Sequence, residues 1–172
     1  MYDTLRTSTL FAATVASGLL AGLFFAFSCA VLPGLRQAGD GVFVETVQRV
    51  NSAILNGWFA LVFVGAPLLT AAAAALHLRA DARAAFPWLA AALLLHVVAL
   101  AVTFAFSIPL NDALAAAGDP PHLGAAGLGA ARARFEVPWT RWNLVRTLTT
   151  AAALGCLVRG LVLHGRLTGS GT

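Results

Sequence analysis

Charge is scarce in this chain: only 10% of its 172 residues are charged, and lysine is missing, so all 11 basic side chains are arginine. They are scattered near the ends of apolar runs. A formal charge of +4 without a basic patch excludes a nucleic-acid-binding surface. Cysteine is rarer still. Cys29 and Cys156 form neither a CxxC pair nor a metal-type spacing. Both read as small buried hydrophobes inside helices, which argues against a thiol-redox enzyme. The histidines His77, His96, His122 and His164 make no short paired motif, so neither a metal site nor another cofactor is expected.

Apolar residues are abundant, at 59%, and the mean hydropathy is +0.83. This is the profile of a small polytopic membrane protein. Four spans stand out, at about residues 7–32, 58–78, 86–110 and 139–163. Each is long enough to cross a hydrocarbon core of about 30 Å at about 1.5 Å per residue. The first is too long for a signal peptide and three more follow it, so it counts as a span. The expected fold is all-α, an antiparallel bundle of four transmembrane helices in a single domain, 1–172. A short amphipathic helix at 40–56 separates the first two spans, and a long loop at 111–137 separates the last two.

Details of the spans add to this frame. Thr14, Gly18, Gly22, Ala26 and Ala30 form a ridge of small residues, suited to close helix contact within the bundle or in a homo-oligomer. Pro33-Gly34 and Pro109 are expected to end the first and third spans, and Pro138 to open the fourth. Within 40–56, Phe43, Val47, Val50 and Ile54 share a face, while Glu45 and Arg49 form an i, i+4 pair. Asn51 interrupts that apolar face and needs a partner, either structural or a ligand. His96 lies alone at mid-span and reads as a hydrogen-bonder within the bundle.

The stretch Trp139-Thr-Arg-Trp-Asn-Leu-Val-Arg146 is the most informative. Trp139, Trp142, Asn143 and Arg146 fall at i, i+3, i+4 and i+7, on one face of an otherwise apolar helix. An arginine two turns inside such a helix should face protein or water, whereas Arg141 reads as a headgroup anchor. In an up-down bundle, Asn51, Asn56, Asn111, Trp139, Trp142, Asn143 and Arg146 share one membrane side with both long connections. Polar groups converging at one mouth of a bundle are what a binding pocket requires.

Four pieces carry a family resemblance in this order: Gly18-Leu-Leu-Ala-Gly-Leu-Phe-Phe-Ala-Phe27, Val50-Asn-Ser-Ala-Ile-Leu-Asn56, Ile108-Pro-Leu-Asn111 and Trp139-Thr-Arg-Trp-Asn-Leu-Val-Arg146. Together, over about residues 8–160, they resemble the anthrone-oxygenase-like family of integral membrane proteins. The family pattern often has Asn where Ser107 stands. The resemblance implies oxidation of an anthrone to an anthraquinone by O₂, as in fungal polyketide pathways. It implies a hydrophobic, polycyclic aromatic partner and no cofactor. Arg146, Asn143 and Asn111 are then the expected catalytic groups, and Asn51, Asn56, Trp139, Trp142 and Phe25 the expected substrate contacts. Asp112, Glu136, His122 and His96 are candidate bases, none singled out by spacing. The alternative is a non-enzymatic membrane module binding a lipid, a quinone or a hydrophobic partner. The expected setting is a bacterial plasma membrane with both termini cytoplasmic.

Overall fold

The computed structural model describes residues 2–79 and 83–169, with the backbone only for 167–169. The middle of the turn joining the second and third spans, and Ser170, lie outside the described residues. Among the described residues there is no strand. The helices are α1 (Tyr2–Leu35), α2 (Asp40–Ala53), α3 (Gly57–Leu76), α4 (Phe86–Ala116) and α5 (Gly124–Gly169). α1, α3, α4 and α5 are each long and apolar enough to cross a membrane. The protein is an all-α polytopic membrane bundle in which α1 packs on α3 and α5, and α4 packs on α5 and α3.

The prolines do not end the helices as the sequence predicts. α1 runs on to Leu35 and α4 to Ala116, each through one π turn, at Phe27–Val31 and Thr103–Ser107. In both, the residue just before the proline makes the wide bond: Leu32 N–H donates to Phe27 O, and Ile108 N–H to Thr103 O. A proline has no N–H, and its ring collides with the carbonyl four residues back. Widening the preceding turn by one residue relieves that collision without breaking a helix that packs on both sides of it. Pro138 lies inside α5 rather than at its start.

The expected loop at 111–137 is mostly helix. α4 takes its first part, Pro120–His122 is a short 3-10 turn, and α5 begins at Gly124. With 46 residues α5 is about 69 Å long, roughly twice the hydrocarbon thickness. Its first turns stand beyond the spans and pack against α2. Leu32, Phe43, Val44, Val47, Leu114, Ala131, Phe135 and Trp139 form a core there. Glycines in this contact serve close approach: a Cβ on Gly129 would lie 3.3 Å from Asp40 Oδ2, and one on Gly41 3.6 Å from Leu128. Arg132 bonds Asp40, Glu136 and the carbonyls of Arg36 and Ala38, and Arg36 reaches Glu136. These bonds fasten the amphipathic helix across the end of the bundle.

The terminal half of the bundle is packed with small residues. Leu10, Ala13, Ala73, Ala74, Ala85, Leu89, Ala92, Ala153 and Leu157 are buried together. Its polar groups are paired: His96 lies 3.1 Å from Ser17 Oγ and 2.9 Å from Ala92 O, and His77 lies 2.7 Å from Ala73 O and 3.3 Å from His164. Gly18, on the ridge of α1, faces Leu154 of α5, whereas Gly22, Ala26 and Ala30 are exposed. Cys29 is exposed and Cys156 half-buried, contrary to the expectation of two buried thiols.

Candidate functional site

The other half of the bundle is hollow. A cavity of about 710 Å³ lies between α1, α3, α4 and α5, with the α2–α3 junction as its roof. Its walls are mostly apolar: Leu23, Phe24 and Phe27 from α1, Phe59, Phe63 and Val64 from α3, Phe104 and Ile108 from α4. The polar lining consists of Asn51, Asn111, Asp112, Ser107, Thr103, Asn143 and Arg146, with Gln48, Ser52 and Asn56 at the roof. Both π turns contribute to it, through Phe27 on α1 and through Thr103, Phe104 and Ser107 on α4. The extra residue in each turn shifts the helical phase, and this is what points Ser107 inward rather than along the lipid surface.

Arg146 is the centre of the site. It is 6% exposed and donates from Nη2 to Asn143 Oδ1 at 2.9 Å. Its guanidinium carbon sits 4.4 Å above the Phe24 ring and 5.2 Å from that of Trp139, a cation–π cradle. No carboxylate pairs with it among the described residues, and its Nε is buried without an acceptor. The hydroxyl of Ser107, 1% exposed, is likewise buried and unpartnered. Buried donors without acceptors each cost about 1–3 kcal/mol, more when charged. Two of them lining one apolar cavity mark where an acceptor on a ligand belongs.

Asn143 is fully committed to the protein. Its Nδ2 donates to Phe24 O at 3.0 Å and to Ser28 Oγ at 2.8 Å, and its Oδ1 receives Arg146. Ser28 also meets Thr147 at 3.0 Å, so a hydroxyl that the sequence reading passed over anchors the group that holds Arg146. Its signal was position: Phe24 and Ser28 are an i, i+4 pair facing the polar face of the fourth span. Asn111 Oδ1 accepts from Trp139 Nε1 at 2.8 Å, which fixes the indole as a wall and leaves the amide nitrogen available. Phe27 and Phe135 flank that indole, each at 5.7 Å between ring centres. Asn51 is half-buried at the roof, and its side chain makes no hydrogen bond among the described residues.

Other expected contacts lie elsewhere. Phe25 is 59% exposed and faces outward, because one helical step separates it from Phe24, which does line the cavity. Trp142 stacks on Phe106 at 3.7 Å on the outer side of the bundle and is not part of the lining. Asn56 caps α3: its Oδ1 accepts from Phe59 N–H, and its Nδ2 donates to Ala53 O. Arg141 is exposed, as a headgroup anchor should be. Of the candidate bases, Glu136 is engaged by Arg36 and Arg132, His96 lies outside the cavity, and His122 sits in the 3-10 turn. Asp112 alone among them lines the cavity. Among the described residues no three His, Cys, Asp or Glu side chains come together.

The sequence profile of the anthrone oxygenase family matches residues 58–156, more than half of the chain. The match includes Ser107, Asn111, Asp112, Trp139, Asn143 and Arg146, and leaves out α1 and α2. Comparison with curated proteins and with solved structures gives no match. The chain belongs to the anthrone oxygenase family.

Proposed function

We propose that the cavity binds a flat, apolar aromatic that ionises to an oxyanion, and that the protein oxygenates an anthrone-like substrate with O₂ without a cofactor. The observation that carries this reading is Arg146: a buried guanidinium with an unmatched donor, facing an apolar space large enough for a three-ring molecule. A fixed cation in a dry site stabilises a developing anion far more than one in water does. Arginine remains charged throughout the accessible pH range.

The chemistry asks for little else. The CH₂ between the rings of an anthrone gives up one proton, leaving an electron-rich enolate whose oxygen faces Arg146 Nε and the Ser107 hydroxyl. The enolate passes one electron to O₂, and the radical pair joins as a C–O bond to give a peroxide. Loss of the second proton from the same carbon, with cleavage of the O–O bond, forms the new carbonyl and releases water. One anthrone and one O₂ become one anthraquinone and one water. Asp112, at the mouth, takes the first proton directly or through water. Trp139 and Phe27 form a wall against the rings, Asn111 offers its amide nitrogen, and Asn143 positions Arg146.

Oxygen uptake by the purified protein with anthrone, with and without EDTA, tests the reading. The expected result is uptake that EDTA leaves unchanged and that yields one anthraquinone per O₂. Activity lost to EDTA and restored by one metal would overturn it. Saturable anthrone binding without uptake would favour the non-enzymatic alternative.

The same reading sets the topology. Arg6, Arg79, Arg83, Arg159 and Arg166 flank the terminal side, and Arg36, Arg49, Arg132, Arg134, Arg141 and Arg146 the other. Once Arg49, Arg141 and Arg146 are assigned to the site end rather than to headgroups, the terminal side is the richer, so both termini belong in the cytoplasm of a bacterial cell. An impermeant thiol reagent that labels Ser170→Cys from outside intact cells would reverse this. The exposed Gly22, Ala26 and Ala30 offer a face for a second copy, and a strictly monomeric protein in bilayers would remove that role.

A further inference from the structure

The cavity has two openings, and they are built differently. At the end of the bundle it is roofed by the α2–α3 junction, and the roof is latched: Gln48 Nε2 donates to Leu114 O at 2.9 Å and to Gly118 O at 3.2 Å. Along its side it reaches the seam between α3 and the part of α4 beyond the π turn. α3 packs on α1 and on Phe86–Val102, and the ring contact of Phe63 with Phe104, 6.4 Å between centres, spans the seam beyond that. Val64, Phe104 and Ile108 line the cavity and are also 50%, 62% and 37% exposed on the outer surface. The wall there is one side chain thick.

The depth of the seam places it in hydrocarbon. Trp58, 81% exposed at the start of α3, is an interfacial anchor. Val64 lies six residues further in, about 9 Å at the helical rise. Phe104 lies eight residues inward of Asp112, about 12 Å, and Arg146 seven residues inward of Trp139, about 10 Å. The seam and the guanidinium are therefore at similar depth.

Resting on the reading of this cavity as a ligand site, we propose that its apolar ligand enters sideways from the bilayer, between α3 and α4, with Phe63 and Phe104 as the door. The molecule crosses the seam uncharged, because an anion is excluded from hydrocarbon, and its acceptor oxygen meets Arg146 at the inner end. The occupant is a membrane-dissolved aromatic whose ionisable group is a weak acid.

Cysteine accessibility tests the route without reference to oxygenation. In a Cys29→Ala, Cys156→Ala background, Ser107→Cys places a thiol inside the cavity, and Thr103→Cys does so at a second buried position. In proteoliposomes, bilayer-dissolved N-phenylmaleimide should label both thiols, and a charged sulfonate reagent should label neither. Val64→Trp should slow labelling about tenfold, the rate effect of about 1.4 kcal/mol added to the entry barrier. Leu61→Trp, on the lipid face but outside the lining, should leave it unchanged. Equal labelling by the charged reagent, indifferent to Val64→Trp, would show filling from the aqueous end and overturn the proposal. So would labelling of neither thiol by either reagent. Labelling as expected beside absent oxygen uptake would instead overturn the oxygenase reading and leave the route standing.

Discussion

At the terminal end of the bundle α4 and α5 approach so closely that a Cβ on Gly160 would lie 2.8 Å from Leu89; at the other end the helices stand apart around about 710 Å³ of space. Both ends bury polar side chains, so burial alone does not distinguish a site from a scaffold. Completeness does. His96 and His77 have a partner at each ring nitrogen, and buried polar groups so satisfied fix helix positions within a bundle. Arg146 Nε and Ser107 Oγ have none, and they face the hollow. In a membrane protein, where apolar surface carries little information, the unfinished hydrogen bond is the clearest mark of a binding site.

The largest expected effect falls on the hollow end. Arg146→Leu should lower kcat/KM with anthrone by on the order of 100-fold or more, the loss typical of removing one group that stabilises an oxyanion. It also strands the amide of Asn143, whose oxygen now receives the guanidinium. Arg141→Leu, five residues earlier on the exposed side, should stay within about twofold, since surface charges of this kind contribute little. Steady-state oxygen uptake separates the two. Equal losses would mean that Arg146 is only another anchor and would erase the contrast between the ends.

The tight end should fail differently. Gly160→Val places methyl groups where Leu89 already sits, an overpacking that costs about 1–3 kcal/mol. Gly22→Ala meets nothing within 4 Å and should leave thermal stability near that of the parent. Anthrone affinity in the surviving folded fraction of Gly160→Val should be unchanged. A large affinity change there would show that the two halves are coupled rather than independent.

The four spans were legible because an apolar run of this length has one physical use. The convergence of Asn51, Asn111, Asn143 and Arg146 on one cavity was legible from up-down topology and the i, i+3, i+4, i+7 spacing. Other features were hidden because they depend on partners distant in sequence. Gly124 to Ala131 reads as loop by composition, yet its glycines let α5 press on α2. Gln48 sits among the outward polar residues of α2 by pattern, and only the end of α4 turns it into a latch. Phe25 and Trp142 fell one helical step from Phe24 and Asn143, and a step of about 100° separates lining from lipid. The two prolines misled most, because their local penalty reads as a stop while packing on both sides keeps the helix intact.

That last point yields the smallest effect and the finest test. Pro109→Ala restores an N–H at residue 109 and removes the ring that collides with the carbonyl of Ala105. The π turn Thr103–Ser107 is then free to tighten into α-helix, turning Ser107 and Phe104 relative to the rest of α4. Stability should hold or rise slightly, because the wide turn has lost its cause. Anthrone affinity should fall a fewfold, because the Ser107 hydroxyl swings off the cavity while Arg146 stays in place. Pro67→Ala, where α3 carries its proline without a π turn, is the matched control and should leave affinity alone. If Pro109→Ala leaves affinity unchanged while its amide exchange shows a regular helix, Ser107 is no part of the ligand's shell. The hollow end would then rest on Arg146 alone.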